Sequence, residues 1–213
     1  MQTEFIKKEA PFWLIMLAPV VYMFLVWDRL PDELPSHWNI RGEVDGYSPA
    51  WVLPLMNLGI YLLLLVLPKF DPRKKNYDIF SSSYYKIRLG VTTFLSLILA
   101  LLIAVAQGAN LPVPRLILIC VLLLFAFLGN YLGTVRPNWF VGIRTPWTLD
   151  NEEVWRKTHL LAGRFWFWGG LMGIAMTLFL PMQVLGFLLM VLLAILTLTP
   201  VVYSFFLHKQ LNK

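Results

Sequence analysis

The chain has 213 residues, 58% of them hydrophobic and only 14% charged, with a formal net charge of +6. Too few polar side chains remain to cover a water-soluble domain of this length, so an ordinary soluble protein is excluded and an integral membrane protein is expected. A bilayer core is about 30 Å thick and a helix rises about 1.5 Å per residue, so a charge-free run of about 20 residues counts as one crossing.

The first such run, Ala10 to Trp27, has no small-residue cleavage site and continues into Trp27-Asp28-Arg29, so it reads as a retained helix and not a cleaved signal peptide. The segment from residue 28 to 50 is then too long and too varied for a simple connection. Pro31 and Pro35 restrict their neighbours to extended or turn geometry, while Gly42 and Gly46 permit positive φ. We expect a small folded cap, with a short extended segment over Ser36 to Ile40.

A second run, Gly46 to Pro68, leads to a basic, hydroxyl-rich link from Lys69 to Arg88. Its plain reading is an anchor at an anionic leaflet, and the alternative is docking of an acidic cytoplasmic partner. Two more runs follow, Leu89 to Pro114 and Leu116 to Val135, the latter holding the chain's single cysteine, Cys120. A lone cysteine allows no internal disulfide, and it reads as an apolar residue facing lipid or a helix.

Next comes a polar, Trp-rich loop, 136–163. Asp150 reads as a helix N-cap, with Glu153 completing a capping-box-like pair. From there Val154, Thr158, Leu161 and Phe165 repeat on one face, with Arg156, Lys157 and Arg164 opposite, which predicts an interfacial amphipathic helix ahead of the next span. The last charge-free run, Phe165 to Leu207, would be about 65 Å long as one helix, about twice the bilayer core, so it folds back. Pro181-Met182-Gln183 is the interruption that leaves two crossings.

The expected fold is therefore all-α, with six transmembrane helices. With both termini cytoplasmic, fifteen of the eighteen Lys and Arg residues lie inside, which makes the positive charge a topology signal and not a nucleic-acid footprint. Residues 1–68 form a membrane hairpin carrying the extracellular cap, and residues 69–213 a four-helix membrane region. No Asp, Glu, Lys or Arg lies in any of these runs, which argues against a transporter or pump. The pairs Gly129/Gly133 and Gly169/Gly173 suit close helix packing, and most of the nine tryptophans read as interfacial belt residues.

Several side chains invite a chemical reading. Arg144, bracketed by Gly142 and Pro146, suits a lipid phosphate, a carboxylate such as Glu152 or Glu153, or open helix carbonyls. Asn138 and Thr148 suit local backbone bonds. His159 shares a face with Trp155 and Glu152, where a pH-sensitive switch is weighed against a bond at headgroup level. In the cap, His37, Glu43 and Asp45 offer three potential metal ligands, but no paired-ligand element supports a zinc site. His37 and Asn39 read as residues that shape the cap, with peptide contact as the alternative. No cofactor and no catalysis are expected; a membrane-embedded enzyme using His37, Glu43 and Asp45, or a transporter, is the competing class.

The motif Asn138-Trp139-Phe140-Val141-Gly142-Ile143-Arg144-Thr145-Pro146-Trp147-Thr148, followed by Glu153-Val154-Trp155-Arg156-Lys157-Thr158-His159 and Gly163, closely resembles the signature of the SdpI family of bacterial immunity membrane proteins. Leu30-Pro31, Leu34-Pro35, His37-Trp38-Asn39, Gly42 and Asp45-Gly46-Tyr47 resemble the small domain of unknown function that often precedes it. The resemblance covers essentially the whole chain. It implies a multi-pass protein of a Gram-positive plasma membrane that protects against a secreted, SdpC-type killing peptide. It further implies a possible second partner, a cytoplasmic repressor of the SdpR type held at the membrane. On this reading Asn138, Gly142, Arg144, Thr145, Pro146, Trp147, Thr148, Trp155 and His159 contact a partner or lipid, and Pro31, His37, Trp38, Asn39, Gly42 and Asp45 contact the toxin. Oligomeric state is left open.

Overall fold

The computed structural model describes residues 2–39 and 43–212. Gly42, expected in the cap, lies outside them. In chain order the elements are α1 (Gln2–Leu25), a 3-10 turn (Trp27–Arg29), strands β1 (Glu33–Trp38) and β2 (Val44–Pro49), α2 (Val52–Phe70), the short α3 (Lys75–Ile79), α4 (Ser81–Ala106), α5 (Val113–Leu132), the short α6 (Pro146–Asp150), α7 (Glu152–Phe179) and α8 (Met182–Leu211). The protein is mostly helical, and among the described residues five helices, α1, α2, α4, α5 and α8, are long and apolar enough to cross a membrane.

The expected all-α class needs one correction: the cap is an antiparallel β-hairpin. Glu33 pairs with Pro49 and Trp38 with Val44, and the register shifts around His37. Strand geometry follows from Pro35 and the alternation that buries Leu34 and leaves its neighbours partly or fully exposed. The hairpin is seated on the bundle by an apolar cluster of Met23, Val26, Leu34, Ala50, Leu99, Leu102, Ile103 and Val113, with Trp38 packed against it. That cluster joins one end of α1, α2, α4 and α5 to the cap.

A second correction concerns the amphipathic helix. It is not separate; it is the first half of α7, which continues unbroken to Phe179. Gly163, near the expected junction, does not break it, because its missing side chain is where α5 passes: a Cβ there would lie 2.7 Å from the Gly129 carbonyl oxygen. Gly129 and Gly170 face equally close backbone, with added Cβ atoms 2.6 Å from Phe167 N and 2.7 Å from Leu122 O. The glycines thus let α5 and α7 pack almost backbone to backbone. The expected face holds in part: Val154 and Thr158 are buried, with Trp155 and Ala162 beside them, but Leu161 is half-buried and Phe165 is exposed, as are Arg156 and Arg164.

The cap of this helix also differs. Asp150 ends α6, and Asn151 is the N-cap of α7, its Oδ1 accepting from the Glu153 and Val154 amides at 2.9 and 3.1 Å. Glu153 turns outward to Lys157 at 2.7 Å, and that hydrogen bond and charge hold its carboxyl below the usual range. The extended backbone of residue 151 starts a new helix one position later than the sequence pattern suggests. Further on, the turn at Leu180 and Pro181 separates α7 from α8, as the Pro181-Met182-Gln183 interruption predicts.

α4 bridges the two parts of the bundle, packing on α1 and α2 and on α5. Where α1, α2 and α4 meet lies a buried ion pair absent from the sequence reading. Arg88 donates through both terminal nitrogens to the Glu9 carboxylate at 3.1 and 2.6 Å, and Tyr61 adds its hydroxyl at 3.0 Å. The guanidinium also lies 4.5 Å from the Phe12 ring centroid. Glu9 and Arg88 are 2% and 6% exposed, and each stands one residue before an apolar run begins.

Candidate functional site

The signature segment occupies the end of the bundle opposite the cap and folds around Asn138, which is fully buried. Its side-chain oxygen accepts from the amides of Phe140 at 2.9 Å and Val141 at 2.6 Å; its nitrogen donates to the carbonyls of Arg136 at 2.8 Å and Val141 at 2.9 Å. One amide side chain closes the whole turn, as expected of Asn at such a position.

The link before α4 buttresses this turn. Asp71, 2% exposed, accepts from the Arg73 amide at 2.7 Å and from the Trp139 amide at 2.9 Å. The Tyr77 hydroxyl lies 3.1 Å from both Asp71 Oδ2 and Asn138 Oδ1. Burial first, and the Asp71 charge second, push the Tyr77 pKa well up, so it remains a donor. Asn76 donates to the Pro137 carbonyl at 2.6 Å and Arg73 to that of Leu149 at 2.8 Å. Sequence reasoning treated this link only as an anchor or docking strip. The one available signal was Asp71, a lone acid in front of a run of bases.

Gly142 and His159 form the second fixture. Gly142 has φ of +112°, and a Cβ there would overlap His159 Nε2, so both backbone and space require glycine. The Ile143 amide donates to His159 Nε2 at 2.9 Å, while Nδ1 lies 2.8 Å from the Trp155 carbonyl oxygen. These partners demand a neutral ring with its proton on Nδ1. Burial lowers the His159 pKa to about 4, outweighing the opposing effect of the Trp155 carbonyl. The ring is fully buried and stacks on Trp155 at 4.1 Å, so the expected bond at headgroup level is corrected to an internal latch. Trp155 in turn donates to the Val135 carbonyl at 2.8 Å.

The third fixture is a capping box one helix earlier than expected. Thr145 caps α6, with Pro146 at its first position; the Thr148 amide donates to Thr145 Oγ1 at 3.2 Å and the Thr145 amide to Thr148 Oγ1 at 2.9 Å. The Trp147 indole donates to Ser204 of α8 and packs edge-on against Phe205 at 5.3 Å. Trp155 is thus a buried strut and not a belt residue, while Trp147 and Trp166, the last bonded to the Leu196 carbonyl at 3.0 Å, are half-buried and tie to α8. Trp13, Trp27, Trp51, Trp139 and Trp168 are the exposed ones.

Arg144 stands apart. It is exposed, with one terminal nitrogen donating to the Trp139 carbonyl at 2.7 Å. A cavity of about 580 Å3, which Arg144 does not line, opens between Asn76, Pro137, Trp155 and the charged side chains of Arg136, Glu152, Glu153 and Arg156.

At the opposite end, the hairpin brings His37 and Asp45 together, Nδ1 to Oδ1 at 2.5 Å, but not Glu43. Glu43 instead accepts from Asn39 Nδ2 at 2.8 Å, and its amide donates to Asn39 Oδ1 at 3.1 Å. His37, Glu43 and Asp45 are exposed and Asn39 is half-buried, and both pairs tie the two arms of the hairpin together; Pro31 is exposed and Trp38 half-buried. Among the described residues no group of three His, Cys, Asp or Glu is gathered as metal ligands.

Comparison with known proteins supports both motifs. Residues 134–204 match the SdpI/YfhL protein family, and residues 14–60 match a domain of unknown function, DUF1648. Immunity protein SdpI of Bacillus subtilis (strain 168) is 23% identical over 215 residues, spanning 97% of this chain and 98% of that protein. No solved structure matches. The match to DUF1648 thus falls on the hairpin and its helices, and the match to the SdpI/YfhL family on the interlocked segment running into α8.

Proposed function

We propose that this chain is a multi-pass immunity protein of a bacterial plasma membrane that protects its host from a secreted, SdpC-type killing peptide. The observation that carries this is the end-to-end likeness to a protein named Immunity protein SdpI. The reading is of a binding protein and not an enzyme. Residues 1–68 form a membrane hairpin carrying the extracellular cap and residues 69–213 a four-helix membrane region, with six spans and both termini cytoplasmic. In this topology the charge-free half of α7 after Arg164 is about 22 Å long, short for the bilayer core, and Arg164 snorkels toward the headgroups so that the helix sinks deeper.

The exposed hairpin then meets the peptide from outside. The signature end faces the cytoplasm, where its dense hydrogen bonding supports a rigid platform, and the exposed Arg144 and the charged cavity of the same segment support docking of a cytoplasmic repressor. Colony survival of a toxin-sensitive bacterium expressing the chain tests the immunity reading. Survival well above a vector control is expected, and survival equal to it would refute the reading for that toxin. Cysteines placed near the two termini and in the hairpin turn test the topology: only the hairpin cysteine should react with an impermeant maleimide in intact cells.

A further inference from the structure

Beneath the hairpin, away from the signature segment, lies an apolar cavity of about 610 Å3. Its walls come from α2, α4, α5 and the first half of α8, and its roof from Ser36, His37, Trp38 and Asn39. Three of the wall residues are methionines, Met56, Met182 and Met190. Flexible, polarisable thioethers adapt to an irregular apolar partner, as they do at peptide-binding surfaces.

The roof of this cavity is backed by acids one side chain away. His37 and Asn39, which line it, hold the exposed carboxylates of Asp45 at 2.5 Å and Glu43 at 2.8 Å. Across residues 28–50 five acids stand against two arginines. An apolar pocket with exposed carboxylates beside its roof complements an amphiphile with an apolar body and a cationic end, and it disfavours a phospholipid whose headgroup phosphate would sit beside them.

We propose that this cavity is where the toxin is captured, taking an apolar segment of a cationic amphipathic peptide whose basic end pairs with Asp45 and Glu43. The proposal rests on the immunity reading and adds to it a site and the chemistry of its ligand. Gly186 of α8 lines the wall, so a larger side chain there fills the cavity.

The test uses the full chain in phosphatidylcholine nanodiscs, with a photoreactive Leu/Ala helix of about 20 residues, long enough to span, ending in two lysines, and a twin ending in two glutamates. The lysine probe should label the protein at a concentration about tenfold lower than the glutamate probe, and the double variant Asp45→Asn/Glu43→Gln should shrink that gap to about threefold or less. Gly186→Trp should cut labelling by the lysine probe about tenfold. Because the charge variants sit on the exposed hairpin, they keep the proposal testable if Gly186→Trp fails to fold. Equal labelling by both probes, or a phospholipid that co-purifies, is lost in Gly186→Trp and is not displaced by the lysine probe, overturns it. Survival of toxin-treated cells separates the two readings: full protection by Gly186→Trp removes the cavity site and leaves immunity standing, whereas no protection by the unaltered chain removes immunity itself.

Discussion

Acidification should loosen the signature segment through His159. The ring is held neutral, accepting from the Ile143 amide at 2.9 Å through Nε2, and its pKa is lowered by burial to about 4 from an ordinary 6.5. A histidine that binds its proton less readily when folded contributes stability that is full above the unfolded value. That contribution is lost as the pH falls from 6.5 toward 4, because the unfolded or opened loop takes up the proton first. At about 1.4 kcal/mol per tenfold change in proton affinity, the drop amounts to about 3 kcal/mol. The assay is hydrogen exchange of the peptide covering residues 139–147, in detergent micelles, corrected for the pH dependence of intrinsic exchange. Protection should be level between pH 8 and 7 and then fall about tenfold per pH unit below about 6.5, wherever opening exposes the ring. In His159→Gln the whole profile should be flat, at lower protection. Protection that stays level in the unaltered chain down to pH 5, or an equal slope in His159→Gln, would refute the latch.

Other fixtures make separate predictions. Gly142→Ala combines a left-handed backbone with overlap on His159 Nε2 and should cost about 2–4 kcal/mol, read as a lower unfolding midpoint in micelles. Asn138→Ala leaves several buried backbone groups of the turn unpaired, and a loss of about 3 kcal/mol or more is expected by the same measurement. Arg88→Met strands the buried Glu9 carboxylate and should cost about 3–5 kcal/mol, whereas the double variant Glu9→Gln/Arg88→Met should recover much of it. Gly129→Leu, forced against the α7 backbone, should abolish monodisperse protein on size exclusion, while Gly108→Ala, in open space at the α4–α5 turn, should leave it monodisperse with at most a modest strain cost from its φ of +92°.

Long-period features were legible from residue types alone. Charge-free runs located the apolar helices, and Pro181 located the turn between α7 and α8, because a bilayer imposes one length scale on every span. The glycine pairs were half right: Gly129 does face the α7 backbone, but Gly133, Gly169 and Gly173 face leucine side chains, and on α7 the close backbone approach is made by Gly163 and Gly170. The hairpin was half visible: Pro35 and its neighbours suggested extension, but a strand's partner is a tertiary fact. The N-cap was misjudged by one residue because Asp150 and Asn151 are equally good caps, and the preceding α6 uses up Asp150. His159 looked like a surface group because its burial depends on Gly142, seventeen positions earlier, folding over it. The least legible element was the set of polar pairings across the chain, Asp71 to Trp139 and Glu9 to Arg88. Their members lie 68 and 79 residues apart, and no local periodicity connects them.

The central claim is protection of the membrane, and the most direct measurement is the membrane potential of toxin-sensitive cells exposed to an SdpC-type peptide, followed with a potential-sensitive dye. Cells expressing this chain should hold their potential at a peptide concentration that depolarises vector-control cells, and the protection should fall when the chain is replaced by Asn138→Ala at matched membrane levels. Equal depolarisation in expressing and control cells would contradict the account.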